Sequence, residues 1–172
     1  LDIQQSNLSR DANYRCLVNS DLDFVNCEFQ GTVNFNYAVF NKSINFNDAI
    51  FLAEMNLQGS QLNEKASFWN SKFHKAASFD DVTFRKYADF GGAEFDETAS
   101  FVRSVHRANA YYIGAIFKND AYFDSSQFEG NVTFEDAEFR KSAIFHDAIF
   151  KKNAVFQSAK FLETSDFANC IF

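Results

Sequence analysis

Large apolar side chains recur along this sequence at alternating gaps of five and six residues. One series begins at Phe24 and a second at Phe29, and each repeats every eleven residues. Together the two series have 28 positions, which hold all 24 phenylalanines of the chain. The four exceptions are Leu57, Leu62, His106 and Tyr112. No insertion interrupts the pattern, so we predict one repeating unit rather than several unrelated elements.

A small residue lies two positions before most of these large residues. Before the second series it is nearly always Ala, Ser or Cys, and Val82 is the largest. A spacing of two places both side chains on one face of an extended strand, with the intervening residue on the other face. Neither a seven-residue coiled-coil repeat nor the spacing of an amphipathic helix fits gaps of five and six. The pattern therefore predicts short strands joined by corners.

The position two residues after each first-series residue is typical of turns. Twelve of its fourteen occupants are Asn, Asp, Gly or Ser, which tolerate left-handed backbone conformations, and the others are Tyr37 and Arg103. The chain contains no proline, which suits a backbone whose amides all pair with neighbouring strands. Met55 precedes the exception Leu57, which we interpret as compensation of volume in a tight core.

The segments ASFDDVTF (77–84) and AEFRKSAIF (137–145) contain a small residue, a variable residue, a central Phe and two polar residues. This pattern resembles the pentapeptide repeat family over about residues 20–172. The resemblance implies an all-β fold, a right-handed quadrilateral β-helix (β-solenoid) with four short sides per coil. Alternating units of five and six residues depart from the strict family pattern and predict about seven coils of about 22 residues each. A two-sided coil, built from one unit of each length, is the competing geometry.

We divide the chain into residues 1–23, an irregular N-terminal cap or first coil, and residues 24–172, the β-helix. The sequence starts with Leu1 rather than Met and ends at the repeat position Phe172. We therefore expect a longer parent protein, or an end-to-end homodimer through the Phe172 end, because open strand edges tend to pair.

The sequence lacks the motifs of catalysis, nucleotide binding and metal coordination, and the repeat has no inserted loop that could build a site. No apolar stretch approaches the ~20 residues of a membrane helix, and no signal peptide is visible. We predict no enzyme and no cofactor, with the cytoplasm as the favoured compartment and membrane association only through a parent protein. Calcium binding by stacked Asp and Asn corners is an alternative.

Candidate functional residues are few. His106 lies at a Phe position, where we predict a buried, neutral, hydrogen-bonded histidine, with a ligand or switch site as the alternative. His74 and His146 follow repeat positions and should face outward. Cys16, Cys27 and Cys170 have no metal or disulfide spacing and are predicted to be buried thiols. A candidate surface for a protein partner consists of large residues at outward strand positions: Tyr111, Tyr122, Ile144 and Val155.

The net charge of −7 leans toward the two ends of the sequence, with basic residues mixed in. We expect no direct binding of nucleic acid, because such binding depends on neutralising phosphates. The sequence thus predicts a non-enzymatic structural or protein-interaction scaffold of a larger bacterial protein, with an unknown protein partner. The resemblance adds a second candidate, because some pentapeptide repeat proteins mimic DNA and protect DNA gyrase from quinolones and toxins.

Overall fold

The computed structural model describes residues 12–13 and 15–172, which form short parallel strands and no helix. Each strand is two residues long and pairs at an offset of 22 residues, as Ala66 does with Ile44 and Ala88. The chain visits four sheets in turn and then returns to the first. The protein is therefore a quadrilateral β-solenoid of about seven coils. A two-sided coil is excluded, because its strands would pair at an offset of eleven.

Each sheet contains seven strands, and we number the sheets in the order in which the chain first reaches them. Sheet I contains Leu17–Val18, Val39–Phe40, Gln61–Leu62, Thr83–Phe84, Val105–His106, Gln127–Phe128 and Ile149–Phe150. Sheet II contains Leu22–Asp23, Ile44–Asn45, Ala66–Ser67, Ala88–Asp89, Ala110–Tyr111, Val132–Thr133 and Ala154–Val155. Sheet III contains Glu28–Phe29, Ile50–Phe51, Lys72–Phe73, Glu94–Phe95, Ile116–Phe117, Glu138–Phe139 and Lys160–Phe161. Sheet IV contains Val33–Asn34, Met55–Asn56, Ala77–Ser78, Ala99–Ser100, Ala121–Tyr122, Ala143–Ile144 and Ser165–Asp166. Because every coil visits the sheets in this order, sheets II and IV form opposite sides.

The repeat residues fill the interior as four columns of stacked rings. Phe51 and Phe73 have ring centroids 4.7 Å apart and planes within 1° of parallel. Rings of different columns meet edge to face, as Phe68 and Phe79 do at 5.4 Å and 81°. Neighbouring hydrogen-bonded strands are about 4.8 Å apart, so the backbone spacing sets the distance at which the rings of one column stack.

The corner after each first-series residue is a four-residue turn. The amide of Ala49 donates to the carbonyl of Phe46 (3.0 Å), and Asp48 between them has a φ of 56°. All fourteen predicted positions have a positive φ, including Tyr37 (54°) and Arg103 (55°). This bond with a positive φ at the third residue defines a type II turn. The predicted corners are therefore confirmed.

Serine replaces alanine at several of the small positions without leaving its hydroxyl unpaired. Four such serines are buried: Ser60, Ser71, Ser104 and Ser126. The hydroxyl of Ser60 donates to the carbonyl of Phe35, in the preceding coil, at 2.8 Å. Ser126 donates in the same way to Phe101 at 2.7 Å. Since a buried hydroxyl needs a partner, these carbonyls explain why Ser is accepted there.

Regular strand pairing begins at Leu17–Val18, inside the segment 1–23 that the sequence predicts to be an irregular N-terminal cap or first coil. Cys16 and Val18 are buried and occupy the small and large positions of one further repeat. Val18 stands where later repeats have Phe, so no Phe marks this strand in the sequence. The remainder of the predicted cap falls mainly on residues outside the described part of the chain.

Gly31 and Gly130 occupy equivalent positions, two residues after a second-series residue, but their surroundings differ. A Cβ atom at Gly130 would lie 2.3 Å from the carbonyl carbon of Ala108, whereas at Gly31 it would meet nothing within 4 Å. We expect Gly130→Ala to lower the free energy of unfolding by about 1–3 kcal/mol, because two adjacent coils must separate. Gly31→Ala should change it by less than about 0.5 kcal/mol. Urea denaturation measures both, and equal effects would contradict this account.

Candidate functional site

The structure places the four predicted surface residues on two opposite sides of the solenoid. Tyr111 and Val155 face outward from sheet II, two coils apart. Tyr122 and Ile144 pair directly on sheet IV. They therefore do not form one patch, because successive outward positions of this series alternate between sheets II and IV along the chain.

The side formed by sheet II carries a cluster that we call the aromatic patch, which consists of Trp69, Tyr87, Tyr111 and Ile113. Trp69 is 48% exposed, Ile113 43% and Tyr87 37%. Tyr111 is half-buried between them. Single exposed apolar residues are ordinary on protein surfaces, but a contiguous cluster marks a candidate binding site.

Contacts along the sheet hold the rings of the aromatic patch. Tyr87 and Tyr111 meet edge to face with centroids 6.2 Å apart. The side-chain amide (Nδ2) of Asn109 donates to the Tyr111 hydroxyl at 3.1 Å. The ammonium of Lys65 lies 5.4 Å from the centroid of the Tyr87 ring. Because the rings are already ordered, a partner loses little binding energy in fixing them.

Gly91 interrupts a column of turn residues at the edge of this patch. The column takes one residue from each coil and contains Val25, Asn47, Trp69, Gly91, Ile113, Glu135 and Gln157. A Cβ atom at Gly91 would lie 3.3 Å from Cδ1 of Trp69 and 3.1 Å from Oδ1 of Asp89. A depression of about 290 Å³ lies beside Gly91 and is lined by Trp69, Asp89, Gly91, Tyr111 and Ile113. We call this depression the Gly91 notch.

Charges separate among the sides, although the sequence mixes them. Sheet II and the turn after it carry five carboxylates and no Lys or Arg, namely Asp23, Asp48, Asp89, Glu135 and Asp136. The corner between sheets I and II carries seven basic residues, namely Lys42, Lys65, Arg85, Lys86, Arg107, Lys151 and Lys152. The acidic residues at that corner are Asp21, Glu64 and Glu129. A basic edge thus adjoins an acidic side.

Sheet III carries matched ion pairs. The ammonium of Lys118 lies 2.7 Å from Asp96 and 3.0 Å from Glu94, and hydrogen bonds to both raise its pKa. His74 faces outward, as predicted, with Nδ1 2.6 Å from Oδ2 of Asp96. Such exposed pairs add little stability individually, and their charges cancel. This side therefore offers no strong field to a partner.

The sheet IV side is predominantly acidic. With the residue before each strand and the turn after it, it carries Glu54, Asp80, Asp81, Asp120, Asp124, Asp147 and Asp166. Arg103 is the one Lys or Arg there, and it donates two hydrogen bonds to Asp81, at 2.7 and 2.8 Å. Burial raises the pKa of Asp124, and burial followed by the charge of Asp120 raises the pKa of Tyr122. His146 is half-exposed on this side.

His106 lies in the core and takes the place of a ring. Its imidazole stacks between Phe84 and Phe128, at 4.7 and 4.8 Å. Nε2 is 3.2 Å from the hydroxyl of Ser104. Burial lowers the pKa of His106 to about 3, so the ring is neutral at pH 7. It does not reach the surface and contributes nothing to the aromatic patch directly.

None of the three cysteines forms a disulfide among the described residues, and Cys16 is buried whereas Cys27 and Cys170 are half-buried. Residues 12–13 and 15–172 contain no group of three or more His, Cys, Asp or Glu side chains that could hold a metal ion. Nor does that part of the chain include a helix long and apolar enough to cross a membrane.

The stacked coils define a β-solenoid repeat protein. The family model described as "Pentapeptide repeats (9 copies)" matches residues 14–61, 57–105, 108–149 and 134–172. The chain belongs to the pentapeptide repeat family, as its sequence pattern predicted. No curated protein and no solved structure matched the chain.

Sequence reasoning missed Trp69, Tyr87, Gly91 and Ile113. Outward positions within strands do not include these residues, because Trp69, Gly91 and Ile113 lie in turns and Tyr87 precedes a strand. Comparing positions one full coil (22 residues) apart, rather than one eleven-residue repeat apart, places Trp69, Gly91 and Ile113 in one column.

Replacing His106 by Phe should remove one source of acid sensitivity. The pKa of histidine is near 6.5 in the unfolded chain, and that of His106 is about 3 in the folded protein. The stability that neutral His106 contributes is therefore fully present above pH 6.5 and is lost as the pH falls toward 3. We expect His106→Phe to be neutral or stabilising at pH 7. The free energy of unfolding of the variant, relative to that of the wild type, should increase by about 2 kcal/mol between pH 7 and pH 5. Urea denaturation at both values measures this, and parallel pH profiles would contradict it.

Proposed function

We propose that this chain is a non-enzymatic scaffold that binds a protein partner through the aromatic patch. The observation that carries the proposal is the clustering of Trp69, Tyr87, Tyr111 and Ile113 on one side of the solenoid. Tyr and Trp dominate the binding energy of protein interfaces because they bury large areas with few rotatable bonds. The pentapeptide repeat solenoid is in general such a scaffold.

The backbone around the patch supports this role. The amide of Gly92 donates to the carbonyl of Ile113 (2.8 Å), and that of Asn70 donates to the carbonyl of Gly91 (2.8 Å). The turns that carry the patch are therefore bonded from coil to coil. A rigid surface of this kind avoids the entropy loss that a mobile loop incurs on binding.

A photo-crosslinking amino acid at position 135 tests the proposal. Glu135 follows Ile113 in the turn column, whereas Glu138, in the same coil, lies on sheet III. We expect position 135, and not position 138, to capture a discrete protein from an extract of the source organism. Combining Trp69→Ser with Tyr111→Ser should reduce that capture at least about fivefold, because truncating interface aromatics costs more than about 1 kcal/mol. Equal capture at both positions, or capture indifferent to the double substitution, would oppose the proposal.

The acidic sheet IV side favours a second candidate, a mimic of DNA that modulates DNA gyrase or another DNA-binding protein. Asp166 lies on sheet IV, Asp120 directly precedes the sheet IV strand two coils earlier, and Asp147 lies in the turn after the strand between them. A row of carboxylates along a rod can engage the same basic groove as a phosphate backbone. The ion pair of Arg103 with Asp81 interrupts this row, so we place this candidate second.

A gyrase supercoiling assay, with and without a quinolone, tests the second candidate across a titration to micromolar protein. We expect inhibition of supercoiling or protection from the quinolone if the sheet IV side acts as DNA. The triple substitution Asp120→Asn, Asp147→Asn and Asp166→Asn should weaken the effect at least about tenfold. A control of equal charge on sheet II, Asp23→Asn with Glu135→Gln and Asp136→Asn, should not. Absence of any effect would remove DNA gyrase as the target of this candidate.

A further inference from the structure

We propose that the Gly91 notch receives a positively charged side chain, an arginine or a lysine, from the protein partner. This inference rests on the proposed function of the aromatic patch and states what the edge of that patch recognises. It follows from the rings that wall the notch, from the carboxylate within it and from the charge of the surrounding side.

The walls of the notch suit a cation. Trp69 and Tyr111 line it, and indole is the strongest cation–π acceptor among the side chains. The same surface already shows this interaction, since Lys65 lies 5.4 Å from the centroid of the Tyr87 ring. In residues 12–13 and 15–172 no such cation lies over Trp69. The ring at the notch is therefore open to a cation from outside.

Asp89 supplies the opposite charge. Its Oδ1 accepts a hydrogen bond from the amide of Gly91 at 2.9 Å, which holds the carboxylate beside the notch. Asp89 is half-buried and forms no salt bridge with any described residue. A carboxylate partly shielded from water, without a charged partner, interacts more strongly with an incoming cation than an exposed one does.

The surrounding charge disfavours other occupants. Asp89 repels phosphates and acidic side chains at the notch, whereas Lys65 and Lys86 border a separate depression together with Tyr87. An uncharged apolar side chain would cover Asp89 and leave its charge without compensation. An arginine satisfies both surfaces at once, since its planar guanidinium stacks on an aromatic ring and donates to a carboxylate.

Trp69 is the single tryptophan of the chain, so its fluorescence reports on the notch. We would titrate the full chain, at constant ionic strength, with N-acetylarginine amide and with its uncharged isostere N-acetylcitrulline amide. We expect a saturable change with the arginine compound and at least about fivefold weaker binding of the citrulline compound. Equal binding of the two compounds, or no saturable change with arginine, would overturn the proposal.

Three variants sharpen the test. Asp89→Asn keeps an acceptor for the amide of Gly91 but removes the charge, and we expect at least about fivefold weaker binding of arginine. Gly91→Val fills the notch and should abolish binding. Asp80→Asn is the matched control, because it removes the same charge from the opposite, sheet IV side. Asp80 also accepts a hydrogen bond from a backbone amide, that of Val102, at 3.0 Å. Asp80→Asn should leave the affinity unchanged, and circular dichroism confirms that each variant is folded.

Crosslinking from position 135 separates this inference from the proposed function. If the partner is captured and the capture is lost in Gly91→Val but kept in Asp89→Asn, the aromatic patch binds protein and the assignment of a cation is wrong. If arginine binds but no partner is captured, the proposed function fails and the notch remains a site for small cations. Quenching of Trp69 by a dT oligomer at lower concentrations than by arginine would overturn the proposal in favour of nucleic acid.

Discussion

The structure depends on parallel strand pairing at a constant offset of one full coil. Each pair, such as Ala66 with Ala88, fixes the distance between coils, and the rings of each interior column then stack at that distance. A residue inserted anywhere would rotate the following positions out of their columns. The unbroken repeat is therefore the physical condition for the core, because each coil is stabilised mainly by its two neighbours.

The same pairing organises the surface. Positions one full coil apart stack outside as they do inside, so each side of the solenoid is a set of columns whose chemistry can differ from its neighbour's. Sheet III uses its columns for ion pairs such as Lys118 with Glu94, whereas the sheet II side collects carboxylates around Trp69 and Tyr111. The net charge of −7 therefore does not describe the local charge of either side. A partner interacts with the charges of the columns that it contacts.

The core and the corners could be predicted from the sequence because each depends on a local pattern. A small residue two positions before Phe79, and Asp81 two positions after it, define the strand and its left-handed turn without any distant contact. The aromatic patch could not be predicted in this way. Trp69 and Ile113 are two coils apart and line one notch, and between them in the column stands Gly91, which has no side chain. A search for recurring residue types does not detect a surface feature that depends on one absent side chain.

Two of the four departures from the repeat, His106 and Tyr112, lie in the coil that also carries Tyr111 and Ile113. His106 and Tyr112 are the non-apolar exceptions among the repeat positions, and the Tyr112 hydroxyl and His106 Nδ1 are buried without a hydrogen-bond partner in the described structure. Tyr112 lies between Tyr111 and Ile113 in sequence, so the irregular core directly underlies the exposed patch. Unpaired buried polar groups cost stability that Phe at these positions would avoid. Local rules tend to fail at functional sites, where a sequence serves more than its own packing. Among the repeat positions that follow the sheet II strands, Tyr112 is the one that is not Phe, and it lies directly beneath the proposed binding patch.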